Sequence, residues 1–385
     1  MSFRHQLPVS STITARSLID AIGPALGGGA RDRDALGTEL KRAFGASDVA
    51  LVDCGTSALV LALRIATREG GTVALPAYAC VDIGAAAIFA KLRVRLYDVD
   101  PVTLSPDLES VSRVLGEGID TIVVAHLFGY PANVPGVAAL AAAHGVTVIE
   151  DAAQGAWGKL LETRLGAFGP LTVLSFGRGK GMTGGGGGAL LGMGARYSEA
   201  IAAGAARLEP SRSGLRTLAL TKAQWILGRP SLYAIPSAIP ALHLGETIYH
   251  PAHEPRGITG VSASLVRAAL ARANADLAVR RTHAEELDQM AARSRRVRTI
   301  RAIPGSVPGY LRFPVRVADA RMERSDLGIV RGYPNTIAEL VELQASLSGG
   351  ETLSGARELQ RTLVTLPTHA MVNDDDLRDL TSWLG

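Results

Sequence analysis

From about residue 48 to residue 192, short apolar runs alternate with longer stretches of helical periodicity, the pattern of a layered α/β domain. Val49–Asp53, Thr72–Leu75, Val94–Val99, Thr121–Leu127, Val146–Glu150, Leu171–Phe176 and Ala189–Leu191 are predicted strands. They are nearly continuous in apolar residues instead of alternating, as strands of a mostly parallel sheet covered on both faces must be. Between them, Ser57–Arg68 and Val134–His144 are predicted helices, rich in alanine and leucine. Beyond residue 195 the pattern loosens. Leu215–Leu227 predicts a helix, after which Pro230, Pro236, Pro240, Pro251 and Pro255 interrupt any regular element. A long proline-punctuated segment of this kind is expected to form a lid, a substrate wall or a subunit contact. Ser262–Met290 predicts a long helix leading to a second unit, with a strand at Tyr310–Val317 and a closing helix at Asp374–Trp383. The expected division is a large domain over residues 1–270, with an N-terminal helical segment and a proline-rich insertion at about 210–258, and a small C-terminal α/β domain over 271–385.

Composition narrows the class. With 385 residues, 47% of them hydrophobic and 20% charged, the chain can bury a large core and does not read as disordered. No apolar run is long enough for a membrane-spanning helix, and Met1-Ser-Phe-Arg-His-Gln-Leu-Pro8 lacks the apolar core of a secretory signal. Cys54 and Cys80 offer neither a disulfide framework nor a metal-binding spacing, so a reducing cytoplasm is the expected compartment. The net charge of +4 is modest. The densest basic run, Arg293–Arg301, has no interleaved aromatics and reads as a solvated turn and strand edge, which argues against a nucleic-acid partner. Asp374-Asp-Asp376 opens the last helix and reads as capping and dipole compensation, not as a metal site. His250-Pro-Ala-His253 lacks the spacing of a helical zinc pair, and His126 and His144 read as structural.

The candidate chemistry begins at Lys180. Only five of the 40 basic residues are lysines, and this one lies between a predicted strand, Leu171–Phe176, and a tract of five consecutive glycines, Gly184–Gly188. Upstream, the strand Val146–Glu150 is followed by Asp151. A carboxylate and an amine at the ends of neighbouring strands are what a pyridoxal 5′-phosphate site needs: the lysine for the Schiff base, the carboxylate to keep the pyridine nitrogen protonated. A third piece is Cys54-Gly-Thr-Ser-Ala-Leu59, where a strand turns on a glycine into a helix. Free backbone amides and the helix dipole at such a start favour a phosphate. Two rival phosphate motifs fail: Gly181 follows Lys180 where a P-loop needs a hydroxyl, and Met182 stands where a dinucleotide fingerprint needs its third glycine.

Taken in order, Gly55-Thr-Ser-Ala58, Pro76-Ala-Tyr-Ala-Cys80, His126-Leu-Phe-Gly-Tyr-Pro-Ala-Asn133, Glu150-Asp-Ala-Ala-Gln154, Ser175-Phe to Lys180 with its glycine tract, and Leu366-Pro-Thr-His369 resemble the DegT/DnrJ/EryC1/StrS family. These are aminotransferases of the pyridoxal-phosphate fold type I that act on keto sugars. The resemblance implies a large α/β/α domain with a mostly parallel sheet, a smaller C-terminal α/β domain, and a homodimer. It implies a small-molecule amino donor, glutamate or glutamine, and a keto sugar nucleotide or related polyol ketone as acceptor. Residue by residue, it implies that Lys180 carries the cofactor and moves the proton, that Asp151 pairs with the pyridine nitrogen, and that Gln154 lies by the phenolic edge. Ser175 would hold the phosphate beside the amides of Thr56, Ser57 and Ala58.

Three positions depart from the family pattern. Cys80 stands where an aromatic ring usually stacks on the cofactor, so either Cys80 packs there or Tyr78 substitutes. Gly186 replaces a glutamate common in the glycine tract, and no asparagine near Arg256–Gly260 matches one that the family sends to the phosphate. The family's sugar dehydratases replace the lysine by histidine, so Lys180 favours amino transfer. Two alternatives stay open: an aminotransferase for a lipid-like or carrier-bound ketone, suggested by the apolar segment at 215–251, and a non-catalytic regulator with the same fold.

Overall fold

Each predicted apolar run from 48 to 192 becomes a strand of one sheet, shifted by one or two residues at its ends. The computed structural model describes residues 4–155, 157–209, 211, 214–239, 247–349 and 352–385, so Pro240 of the proline-rich segment lies outside the described residues. In chain order the strands are β1 (Asp48–Val52), β2 (Thr72–Pro76), β3 (Arg93–Tyr97), β4 (Thr121–Ala125), β5 (Thr147–Asp151), a short hairpin of β6 (Lys159–Leu160) and β7 (Thr163–Arg164), then β8 (Leu171–Ser175) and β9 (Gly188–Gly192). The main sheet has the order β1-β9-β8-β5-β4-β2-β3. Its β8-β5-β4-β2-β3 section is parallel throughout, and only β9 runs against its neighbours β1 and β8. Asp151 at the end of β5 pairs in register with Val173 of β8, so the ends of these two strands lie side by side. Ligands of open α/β sheets bind at such carboxyl ends.

Both faces of the sheet are covered. On one, Leu174, Phe176, Ala189 and Leu191 pack with Leu36, Leu40 and Phe44 of helix Ala30–Phe44 and with Val266, Ala269 and Ala273 of helix Gly260–Ala291. On the other, Ile149, Val173 and Leu190 pack with Leu59, Val60 and Leu63 of helix Gly55–Ala66. Each such buried leucine, valine or phenylalanine contributes about 1.5–3 kcal/mol. Helix Val81–Phe89, which the pattern of apolar residues did not reveal, is apolar nearly all round because it is buried nearly all round.

The C-terminal part forms a second sheet from β10 (Val297–Thr299), β12 (Phe313–Val317), β13 (Val330–Arg331) and β14 (Leu363–Leu366), in the order β10-β12-β14-β13; β11 (Ser306–Val307) instead joins the β6–β7 hairpin. Phe313, Val315, Val364 and Leu366 pack on Ala284, Leu287 and Ala291 and on Leu377, Leu380 and Leu384 of the closing helix Asp374–Leu384. The expected boundary at 270/271 falls inside the unbroken helix Gly260–Ala291, which serves both cores. Tyr333, Ile337, Leu343, Leu353 and Leu363 pack into the same core as the main sheet.

The acidic run acts as expected. Asn373 and Asp376 form a reciprocal capping box, and Asp376 also pairs with Arg4 at 2.8 Å. Arg293, Arg295, Arg296, Arg298 and Arg301 are exposed while Val297 and Ile300 point inward, the anticipated strand edge. No described helix is long and apolar enough to cross a membrane.

The N-terminal segment before Thr14 is a strap. Gln6 N donates to Asp326 O (2.9 Å), His369 Nε2 donates to Leu7 O (2.9 Å), Ser11 Oγ donates to Lys180 O, and Thr12 Oγ1 donates to Asp276 (3.1 Å). It ties the small sheet's surroundings to the loop that carries Lys180.

Candidate active site

The turn after β1 is built for close approach. Cys54 caps helix Gly55–Ala66, its Sγ accepting from Ser57 N at 3.3 Å, and Gly55 lies directly against Ser175. A methyl at Gly55 would sit 2.7 Å from Ser175 Cβ and 2.9 Å from its Oγ, so only glycine lets the end of β8 meet the start of this helix. The Ser175 hydroxyl accordingly faces the positive end of the helix dipole. Of the three amides expected to hold a phosphate, that of Ser57 is capped by Cys54 Sγ, and that of Ala58 donates to Cys54 O at 3.2 Å. The Thr56 amide has no partner among the described residues, while its hydroxyl bonds the Cys54 thiol.

Beyond Ser175 the chain turns through Gly177–Gly179 to Lys180. Gly179 has φ +70°, and Val9 of the strap covers it, 2.7 Å from where a Cβ would stand. Gly185 (φ +69°) lies against Thr221 and Gly187 (φ +105°) against Ile258, while Gly187 N donates to Asp53 O at 2.8 Å. Glycine is therefore required at 185 and 187 by conformation. At Gly186 the nearest atoms to an added Cβ are 3.9 Å away, so space does not exclude the family's glutamate there.

The charge of Lys180 acts on Asp151. Asp151 is buried, with Oδ1 accepting from Ala153 N at 2.9 Å and its other oxygen without a partner among the described residues. Burial pushes its carboxyl above the usual range, opposed by the Ala153 amide and the charges of Lys180 and His126. No described group accepts a hydrogen bond from Lys180 Nζ. Behind them, His126 Nε2 donates to Glu150 Oε1 at 2.9 Å and Nδ1 accepts from Ala132 N at 3.0 Å, which fixes the tautomer. Glu150 also accepts from Gly166 N (2.6 Å), Phe168 N (2.7 Å), Gly169 N (2.9 Å) and Thr172 Oγ1 (3.3 Å).

The wall beside Lys180 is aromatic and thiol. Tyr78 is fully buried, and its Oη accepts from Tyr333 N at 2.8 Å. Cys80 is half-buried, its Sγ donating to Asp82 at 3.4 Å. Burial, then the Asp82 charge, pushes the thiol up to about 12, while Lys180 acts in the opposite direction. Of the two residues considered for the ring-stacking position, Cys80 is thus the one whose surroundings include Lys180. Gln154 accepts from Phe128 N at 2.9 Å and donates to Tyr333 Oη at 2.8 Å. Phe128, held at φ +54°, stacks on Tyr333 at 5.4 Å. Strain of this kind in a non-glycine residue persists where surrounding structure fixes it, and it concentrates at functional sites.

The structure therefore brings together Thr56, Ser57, Ala58 and Ser175 at one end, and Cys80, Asp151 and Lys180 at the other, with Gln154 and Tyr78 joined through Tyr333. Tyr333, Arg312 and Tyr233 were not foreseen. Tyr333 and Arg312 lie 130 or more residues beyond Lys180 and Tyr233 lies 53 beyond it, and single tyrosines and arginines in an arginine-rich chain carry no local signal.

Residues 29–206 match the profile of the "DegT/DnrJ/EryC1/StrS aminotransferase family". A UDP-N-acetyl-3-dehydro-alpha-D-glucosamine 3-aminotransferase from Acidithiobacillus ferrooxidans is 32% identical over 123 residues, 32% of this chain and 33% of that protein. An L-glutamine:2-deoxy-scyllo-inosose aminotransferase from Streptomyces lividus is 27% identical over 277 residues, 72% of this chain and 60% of that one. The chain thus spans between a third and three fifths of the length of these curated relatives. Among solved structures, an E. coli GDP-4-keto-6-deoxy-D-mannose-3-dehydratase with bound hydrated pyridoxal phosphate superposes with a TM-score of 0.78 at 15% identity, covering 99% of this chain and 100% of that one. At that identity the likeness establishes the fold.

Proposed function

Because residues 29–206 place this chain in the DegT/DnrJ/EryC1/StrS aminotransferase family, we propose that it is a pyridoxal-phosphate-dependent aminotransferase. It moves an amino group from glutamate or glutamine to a keto sugar nucleotide or a related cyclic polyol ketone, and it works as a homodimer. What supports this reading most is that, among the described residues, one oxygen of buried Asp151 and the Nζ of Lys180 have no hydrogen-bond partner while the Lys180 charge acts on Asp151, at the end of the sheet that also holds the Gly55–Ser175 turn. A buried carboxylate with one free oxygen suits a protonated ring nitrogen. The Ser175 and Thr56 hydroxyls with the Thr56 amide suit a phosphate, and displacing the weak Cys54 Sγ acceptor would release the Ser57 amide too.

Bound there, the cofactor supplies an electron-withdrawing ring that stabilises negative charge on the substrate carbon. Asp151 keeps that ring's nitrogen protonated, and the Ala153 amide keeps Asp151 in place. Lys180 Nζ, on a glycine-flanked turn, takes the proton from the donor's amine-bearing carbon and later delivers one to the acceptor's. Gln154 ties Phe128 to Tyr333, and so fixes the wall against which substrate packs. The strap through Val9 and Ser11 limits the movement of the Lys180 loop.

The two half-reactions, followed separately, test the proposal. L-glutamate or L-glutamine is expected to bleach the protein's visible absorption, and one of a panel of keto sugar nucleotides and inosose-type ketones to restore it. Restoration by a lipid-like ketone alone would move the acceptor assignment to the apolar segment. Failure of any amino acid to bleach the band would refute amino transfer.

A further inference from the structure

We propose that helix Gly214–Leu227, the residues after it as far as Ile239 and the neighbouring stretch 19–26 form one face that docks on an anionic lipid bilayer, lying along its surface. Helix Gly214–Leu227 carries apolar residues on both sides, the pattern of a helix buried all round, yet only one side is covered. Leu218, Thr221 and Trp225, three and four residues apart, face the protein. Thr221 lies against Gly185, and Leu218 and Trp225 pack with Leu18, Val261 and Leu265. On the other side, every exposed position of the helix is leucine, isoleucine, alanine, arginine or lysine, with Leu215 63% and Leu220 58% exposed. The face continues into its neighbours. A methyl built on Gly214 would touch Ala25 at 3.4 Å, which brings the stretch 19–26 against the start of the helix; Ile19, Ile22 and Leu26 are exposed there. Beyond the helix, Ile235 and Ile239 are exposed as well. These two stretches hold nine of the twelve large apolar side chains exposed among the described residues, so they make a patch and not a scatter.

Charge identifies the occupant. From Pro210 to Gly245 the sequence has no aspartate or glutamate, though the chain carries 36, while Arg212, Arg216, Lys222 and Arg229 all fall within it. Arg216, Lys222 and Arg229 are exposed, and Arg229 rests over the Trp225 ring, 4.6 Å from its centroid. Asp20, the one carboxylate of residues 15–28, pairs with Arg16 at 3.0 Å. Leucine and isoleucine flanked by arginine and lysine, without acidic residues, match the acyl boundary and the anionic headgroups of a bilayer surface. With 14 residues the helix is too short to span the hydrocarbon, so it lies in the interface. A second copy fits this face less well. A two-fold contact here would set Arg216, Lys222 and Arg229 against their own counterparts, with no carboxylate of the segment to meet them. The face also backs onto the site: Thr221 meets Gly185 of the glycine tract, and Pro230 O accepts from His5 N of the strap at 2.9 Å, while Val9 of that strap covers Gly179. Docking therefore holds the Lys180 loop close to the membrane surface.

The test is co-sedimentation of the pyridoxal-phosphate-treated protein with vesicles of phosphatidylcholine, alone or with a quarter of phosphatidylglycerol. Two double variants are compared with wild type, Leu215→Gln/Leu220→Gln and Arg216→Gln/Lys222→Gln; all four positions are exposed, and glutamine keeps the helix propensity. Wild type is expected to bind the phosphatidylglycerol vesicles, to leave pure phosphatidylcholine largely unbound, and to be released by added salt. Arg216→Gln/Lys222→Gln should weaken binding about 30-fold, about fivefold for each charge. Leu215→Gln/Leu220→Gln should weaken it about 10–100-fold through lost apolar contact. Both variants should keep the far-ultraviolet circular dichroism and the sedimentation coefficient of wild type. A wild type that stays in the supernatant with phosphatidylglycerol vesicles overturns the proposal, and so does unchanged binding in either variant. A leucine variant that sediments as a smaller species than wild type also overturns it, because the face would then belong to a second copy. None of these readouts depends on amino transfer, so the failure of docking and the failure of the proposed function are separate results.

Discussion

Replacing Glu150 by glutamine removes one charge and almost no volume, so its effect isolates the carboxylate's hydrogen bonding. Five donors converge on it: His126 Nε2 and Gly166 N on Oε1, and Phe168 N, Gly169 N and Thr172 Oγ1 on Oε2. An amide can keep one oxygen's partners but must point its NH2 at the other's. If it keeps His126 and Gly166, the Phe168 and Gly169 amides are left facing a donor, and Thr172 alone can reorient. Each buried amide so orphaned costs about 1–3 kcal/mol, which gives about 3–5 kcal/mol once the lost charge assistance is included. That is a large part of the ~5–15 kcal/mol by which domains are stable. Burial would raise this carboxyl's pKa, yet the His126 bond and the Gly169 and Gly166 amides outweigh it and hold Glu150 below the usual range. Its contribution is therefore present above the ordinary carboxylate pKa and lost as pH falls toward its own. Urea unfolding of cofactor-free Glu150→Gln at pH 7 should show the loss as a lower midpoint at unchanged slope. A loss below about 1 kcal/mol would refute the view that this carboxylate, and not apolar packing, holds the 166–169 turn against β5.

Other outcomes follow from single residues. Asp151→Asn keeps the acceptor for Ala153 N but not the buried charge, so the cofactor-free variant should be more stable than wild type by about 1 kcal/mol at pH 7. Because the folded carboxyl titrates above the unfolded one, the wild type's deficit should shrink as pH is lowered, while the variant should bind pyridoxal phosphate more weakly by equilibrium titration. His369 is buried neutral, donating to Leu7 O at 2.9 Å, and burial lowers its pKa from 6.5 to about 4. Stability should be complete above pH ~6.5 and fall by about 3 kcal/mol as pH drops to ~4, a slope that His369→Gln should flatten in acid-denaturation curves.

What could be read along the chain was what local patterning encodes. The strands ending in Asp151 and Ser175 are apolar because they are buried on both faces, and Lys180 stands out because a lysine between a strand and a glycine tract has no structural purpose of its own. Helix Val81–Phe89 was missed because burial on all sides erases its periodicity. The placement of the proline-rich segment was invisible for another reason: Tyr233 acquires meaning only once the fold brings it against His5 of the strap. The same holds for the long helix Gly260–Ala291, whose sequence marks it as a helix but does not show that two cores share it. The Ser57 and Ala58 amides looked equivalent to that of Thr56 in the motif, and only the Cys54 cap distinguishes them.

The measurement that bears most directly on the proposed chemistry is borohydride reduction of the pyridoxal-phosphate-treated protein, followed by mapping of the modified peptide and a parallel Lys180→Ala spectrum. One pyridoxyl group on Lys180, and a visible band that disappears in Lys180→Ala, is the predicted result. A label on another of the five lysines, or a band that survives in Lys180→Ala, would contradict it.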